Sequence, residues 1–213
     1  MARLNKDIVL VAGKRTPFGS FGGSLKGLTA TDLAVEAAKA TLAEVGADPK
    51  TVDAVFVGSV LQTSKDAIYL ARHVGLRSGG AEATPALTLN RLCGSGFEAI
   101  AQAAAAIELG DAEVCLAGGT ESMSQAPHIV RDARWGTRFG ATTEFEDSLW
   151  SCLTDSFTGM AMANTAEKLA RTHEISREDC DAFALESQQR YEAARAAGVF
   201  DAEIAPITLK SRR

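Results

Sequence analysis

The sequence predicts an α/β fold, on three observations. Short apolar runs alternate with helical stretches as far as residue 118. One helical stretch, 97–109, is apolar almost all the way round. From Gly119 onward the texture becomes polar and irregular, so an α-rich region over 119–213 follows the α/β region over 1–118. A length of 213 residues fits one or two domains, and a 46% hydrophobic composition can fill a core.

In chain order, residues 8–11 and 54–57 read as buried strands, joined by 86–90 and 114–117. Between the first two, residues 30–45 form a helix whose apolar side is built from Leu33, Ala34, Ala37, Ala38, Ala40, Thr41 and Leu42. Thr29 or Thr31 can cap its start and Gly46 can end it. Residues 67–74 form a short second helix, stopped by Gly75. The helix over 97–109 has Glu98, Gln102 and Glu108 as its only strongly polar side chains and a run of alanines from Ala103 to Ala106. Such a helix needs covering on nearly every side, so it is expected between two layers rather than on a surface.

In the second region, 131–140 reads as a loop and 165–172 as a short helix. A longer helix starts at Ser176, where Ser176-Arg177-Glu178-Asp179 resembles a capping box, and runs to Ala197 before Gly198. A last strand is expected over 204–209. The sequence then stops on Lys210-Ser211-Arg212-Arg213 with no closing element, as an interruption would.

Net charge is −5, and the 22 Lys and Arg residues form no basic run, which argues against a nucleic-acid partner held by charge. No apolar stretch has the roughly 18–20 residues needed to cross a bilayer, so no membrane span is expected. The apolar run after the amino terminus, 8–13, is too short for a signal-peptide core. Cys93, Cys115, Cys152 and Cys180 have neither metal-ligand spacing nor disulfide-scaffold density, which points to no metal and to a reducing, cytoplasmic setting.

Chemistry concentrates in Asn90-Arg91-Leu92-Cys93-Gly94-Ser95-Gly96, where a strand gives way to the apolar helix. Flanking glycines permit unusual dihedrals and close approach of a ligand. A helix N-terminus aims free N–H groups at whatever lies before it. The arrangement parallels the strand–nucleophile–helix elbow, and the Cys93 N–H could form half of an oxyanion hole. A buried structural thiol is the competing reading. A free thiol is only about 3% thiolate at pH 7, and a helix terminus adds roughly 0.3–1 kcal/mol, so a nucleophilic cysteine needs a nearby base. His73, His128 and His173 are placed more like surface or packing residues than bases. Gly94-Ser95-Gly96-Phe97-Glu98-Ala99 also fits a relaxed dinucleotide fingerprint, with Glu121 to hold a ribose. Against it, Asn90 and Arg91 stand immediately before the turn, and no βαβ unit opens there. Cys115 and Cys152 read as packing residues, and Asp179 and Asp181 disfavour a Cys180 thiolate.

Asn90-Arg91-Leu92-Cys93-Gly94-Ser95-Gly96-Phe97 resembles the active-cysteine motif of thiolases, and the resemblance continues through Lys14-Arg15-Thr16-Pro17-Phe18-Gly19 and Ala117-Gly118-Gly119-Thr120-Glu121-Ser122-Met123-Ser124-Gln125-Ala126-Pro127. The stretches over 66–76 and 175–181 are most similar to mitochondrial-type 3-ketoacyl-CoA thiolases. The resemblance implies a βαβαβαββ half with a mixed sheet and a buried Ala-rich helix, and acyl transfer through a thioester on Cys93. Coenzyme A and acyl-CoA enter as substrates, with no covalently bound cofactor. The same resemblance implies that 119–213 is a loop domain that holds coenzyme A and helps assemble a homodimer or homotetramer. Leu153 and Met162 would lie near the pantetheine, and Ala161 stands where acetoacetyl-CoA-selective members have histidine, which favours a broader substrate range. In a eukaryote the setting would be the mitochondrial matrix. The family's second half, with its Asn-Glu-Ala-Phe segment, activating Gly-His-Pro histidine and second cysteine, is not among these residues, so the chain reads as a first half, inactive alone. The alternatives are a non-catalytic acyl- or CoA-binding remnant and a ketoacyl-synthase-like condensing enzyme.

Overall fold

The computed structural model describes residues 6–209. The expectations for the amino-terminal residues 1–5 and the charged stop at 210–213 lie outside them. Two compact units emerge, one from residues 6–126 with 203–209 and the other Pro127–Ala202. The division falls after Ala126 rather than at 118, and 203–209 rejoins the first unit.

The first unit is built on a parallel sheet of β1 (Ala54–Gly58), β2 (Ala86–Leu89) and β3 (Cys115–Gly119), in the order β2-β1-β3. Val55 pairs with Ala86 on one side and Leu116 on the other. Helix α1 (Ala30–Glu44) starts on a capping box in which Thr29 Oγ1 accepts from Asp32 N and the Asp32 carboxylate accepts from Thr29 N. Its buried face is Ala30, Thr31, Val35, Ala38 and Leu42, so of the expected apolar side only Ala38 and Leu42 are buried and Leu33, Ala34, Ala37, Ala40 and Thr41 are half-buried. These residues join Leu70, Ala71 and Val74 of α2 (Leu70–Arg77) and Val55 and Val57 of β1 in one apolar core. Helix α3 (Ser95–Leu109) packs on β1 and β3.

Three expectations need correction. Residues 8–11 form no strand, and Val9, Leu10 and Val11 are 72%, 82% and 73% exposed. Hydropathy favours burial, but a strand needs a ladder partner, and none pairs with this run among the described residues. The run at 204–209 is reduced to a single bridge between Arg15 and Ile204, closed by Arg15 N donating to Glu203 O at 2.9 Å and Ala205 N to Arg15 O at 2.8 Å. Helix α2 runs through Gly75 to Arg77, because the missing side chain brings the helix onto Val55 (a Cβ there would lie 3.1 Å from Val55 Cγ2). That packing offsets the roughly 1 kcal/mol that glycine costs in a helix interior. Helix α3 lies on the sheet with Ser95, Ala99 and Ala103 buried, while Phe97, Ile100 and Leu109 stand exposed among the described residues, on the side where the sequence calls for a further layer.

In the second unit, β4 (His128–Ile129) pairs antiparallel with β5 (Glu146–Asp147), which leads into α4 (Ser148–Cys152). A hairpin of β6 (Thr154–Asp155) and β7 (Met160–Ala161) precedes α5 (Met162–Thr172). Helix α6 (Arg177–Ala196) begins on the expected capping box of Ser176 with Asp179.

Candidate active site

Because β1, β2 and β3 are parallel, their C-terminal ends open onto one edge of the sheet, where α/β folds place their ligands. Three loops leave from that edge. Ser59 N donates to Leu89 O and Thr120 N donates to Gly58 O, both at 3.0 Å, which draws the loops together. Helix α3 is seated unusually close to the strands. A Cβ on Gly58 would lie 2.5 Å from the Ser95 backbone, and one on Gly119 would lie 3.0 Å from Gly96 Cα. Only glycine permits that approach.

Cys93 lies in the loop between β2 and α3, two positions before the helix begins, and it is exposed. The reading as a buried structural thiol therefore fails. Among the described residues no group hydrogen-bonds to its Sγ. The residue before it, Leu92, has φ 49°, a left-handed conformation that costs a side-chain-bearing residue roughly 1–2 kcal/mol. Hydrogen bonds from both sides hold the turn. Asn90 Oδ1 accepts from Leu92 N at 2.9 Å, Gly94 N donates to Arg91 O at 3.1 Å, and Ser95 N donates to Leu92 O at 3.0 Å. The buried Ser95 hydroxyl accepts from Arg91 N at 2.8 Å and donates to Leu92 O at 2.6 Å. Arg91 pairs with Glu98 at 2.9 Å and lies over the Phe97 ring. A strained strand-to-helix turn that carries an accessible thiol is the geometry of a nucleophile elbow.

The sequence left Ser95 and Asn90 without roles at this turn. A serine between two glycines and an asparagine two residues before Leu92, in Asx-turn spacing, were the available signals.

The other candidates separate from this turn. His73 faces Asp66 at 3.7 Å and stacks on Tyr69, while His128 and His173 belong to the second unit. Glu121 does not present its carboxylate to a ribose, which corrects the dinucleotide reading. It accepts from Val60 N at 2.8 Å, Leu61 N at 3.4 Å and the Ser59 hydroxyl at 3.4 Å. Burial pushes its acidity down, raising its pKa against the pull of these donors. Burial also pushes the Cys115 thiol up, helped by the charge of Asp53.

In the second unit, Leu153 caps the end of α4 and Met162 opens α5. The β6–β7 hairpin brings them together, with Met162 N donating to Leu153 O at 3.0 Å. Both side chains are partly open to solvent, at 40% and 48%.

Residues 8–213 match the model of the thiolase N-terminal domain. The chain belongs to the thiolase family. It is 57% identical over 210 residues to the mitochondrial 3-ketoacyl-CoA thiolase of Homo sapiens, a match covering 99% of this chain and 53% of that protein. The crystal structure of human mitochondrial 3-ketoacyl-CoA thiolase in complex with CoA superposes with a TM-score of 0.92 at 58% identity, over 95% of this chain and 51% of the other. The Bacillus anthracis acetyl-CoA acetyltransferase gives 0.91 at 39% identity, over 96% and 52%. The thiolase chain thus spans about half the length of the relatives it matches.

Proposed function

We propose that Cys93 is the acyl-carrying nucleophile of a thiolase that cleaves 3-ketoacyl-CoA. The observation that carries this reading is the exposed thiol on the strained turn before α3, in a chain of this family. The thiolate attacks the keto carbon and the bond to the neighbouring carbon breaks. The released acetyl-CoA carbanion takes up a proton, and the acyl group stays on sulfur. The thiol of free coenzyme A then attacks the thioester and regenerates Cys93. The Cys93 N–H serves as one donor to the oxyanion. Run backwards, an acetyl-Cys93 undergoes Claisen condensation with a second acetyl-CoA.

Both half-reactions move a proton, and a thiol about 3% ionised at pH 7 requires a base. Among the described residues of the first unit no histidine contacts Cys93. The family's complementary half supplies that base in this reading, and the chain alone turns over slowly. In this reading the second unit holds coenzyme A, with Leu153 and Met162 against the pantetheine. Ala161 leaves room for acyl chains longer than acetoacetyl. The assembly is a homodimer or homotetramer in the cytoplasm, or in the mitochondrial matrix of a eukaryote.

A second reading, an acyl- or CoA-binding module without turnover, fits the same observation that no histidine of the first unit's described residues contacts Cys93. Mass spectrometry of the protein after exposure to acetoacetyl-CoA, with the family's complementary half supplied in trans, separates the two. The enzyme reading expects an acyl adduct on Cys93 and thiolysis that falls by at least about a thousandfold in Cys93→Ser. Tight CoA binding with no adduct and no turnover favours the module, and an adduct on another cysteine overturns Cys93.

A further inference from the structure

Leu92 is leucine in a conformation that leucine avoids, directly before the exposed thiol, and something must hold it there. The hydrogen bonds lead away from the turn in one continuous line. Leu92 N donates to Asn90 Oδ1 at 2.9 Å, and Asn90 Nδ2 donates to Val60 O at 3.2 Å. The peptide that carries Val60 O also carries Leu61 N, which donates to the Glu121 carboxylate at 3.4 Å, while Val60 N donates to the same carboxylate at 2.8 Å. One peptide group is thus polarised between a half-buried carboxylate on the β3 loop and an amide side chain on the β2 loop. Each link strengthens the next.

We infer that Asn90 and Glu121 are positioning residues, which lock Leu92 in its left-handed turn through the 60–61 peptide and thereby fix Cys93 at the N-terminus of α3. For its purpose this rests on Cys93 being the nucleophile; for its geometry it does not. If the lock is released, Leu92 relaxes towards ordinary dihedrals and the sulfur leaves the helix end. Replacing Leu92 by glycine removes the strain that the lock opposes, so the turn no longer needs holding.

The test is the rate of alkylation of Cys93 by iodoacetamide in the full chain, followed by peptide mass spectrometry across neutral to mildly alkaline pH. The exposed Cys180 of the same molecules is the internal reference. Asn90→Ala slows Cys93 by about twofold to fivefold at neutral pH, the range a helix terminus contributes to a nearby charge, and moves its pH profile to higher pH. Glu121→Gln acts in the same direction. Adding Leu92→Gly to either variant returns the rate and profile to those of the Leu92→Gly single variant. A general loss of stability would not be rescued in this way. Asn90→Ala with the wild-type rate and profile overturns the proposal, and so does a Leu92→Gly double variant that stays slower than Leu92→Gly alone. If these shifts appear but acyl-CoA never modifies Cys93, the positioning stands and the nucleophile reading falls.

Discussion

The two units of this thiolase chain are held together by different physics. In the first, side chains far apart in sequence close a core: Leu70 and Ala71 are fully buried, and Val35, Val55 and Val74 nearly so. In the second, no described residue of Pro127–Ala202 is buried. Its longest helix, α6, is sustained by its capping box and by surface ion pairs such as Arg177 with Asp181 and Arg195 with Glu192. Exposed pairs of that kind contribute little, whereas a buried leucine contributes several kcal/mol. The rigid turn that carries Cys93 belongs to the well-packed unit.

The largest expected effect breaks the comparison at its root. Leu70→Ala, at a fully buried site, is expected to cost about 2–5 kcal/mol, because it removes apolar contact and leaves a cavity that the surrounding helices and strands cannot fill. Leu185→Ala on α6, at a site 59% exposed, should change stability by no more than about 0.5 kcal/mol. Hydrogen exchange under mild urea reads both, with Leu70→Ala lowering protection across α1, α2 and β1. Similar costs at the two sites would mean that α6 is buried as deeply as the core, and the contrast would fail.

Helix caps sharpen the comparison at a smaller scale. Thr29→Ala and Ser176→Ala each remove one half of a capping box, and each is expected to cost about 0.5–2 kcal/mol. The consequences should differ. Helix α1 is pinned by Val35, Ala38 and Leu42, so Thr29→Ala lowers the unfolding midpoint of the whole first unit. Helix α6 buries none of its residues, so Ser176→Ala frays its first turns locally, visible as faster exchange near Arg177 and Glu178. Global destabilisation by Ser176→Ala would show α6 to be tertiary in origin.

The same distinction explains what could be read from sequence. Both capping boxes are local, a hydroxyl and a carboxylate three residues apart: the one at Ser176 was legible as such, and Thr29 was one of the two caps available for α1. Glycines around Cys93 announced a special turn for the same reason. The strands expected at 8–11 and 204–209 failed because a ladder depends on a neighbour remote in sequence, which hydropathy does not reveal. Gly75 misled because its helix-breaking tendency is overridden by packing on Val55. The line from Leu92 through Asn90 to Glu121 was also out of reach. It joins positions 30 and 60 apart, and leucine gives no sign that its backbone will turn left-handed.

The smallest expected effect concerns a single carboxylate in the loosely packed unit. Glu146 receives Arg131 Nε at 2.6 Å, Arg131 Nη2 at 2.8 Å and the Ser151 hydroxyl at 2.9 Å. The Arg131 hydrogen bonds, more than Ser151, hold its pKa down from 4.5 to about 2. A carboxylate depressed in the folded state stabilises above its unfolded value. That contribution is therefore complete above about pH 4.5 and fades as pH falls through about 2. Carboxyl NMR titration should find the low midpoint in the wild-type chain and a return towards 4.5 in Arg131→Gln. Because the pair is exposed to solvent, Arg131→Gln should leave the unfolding midpoint of the chain almost unmoved. A wild-type midpoint near 4.5 would mean that the guanidinium does not hold its bidentate seat in solution, and that local pairing is weaker in this unit than its hydrogen bonds imply.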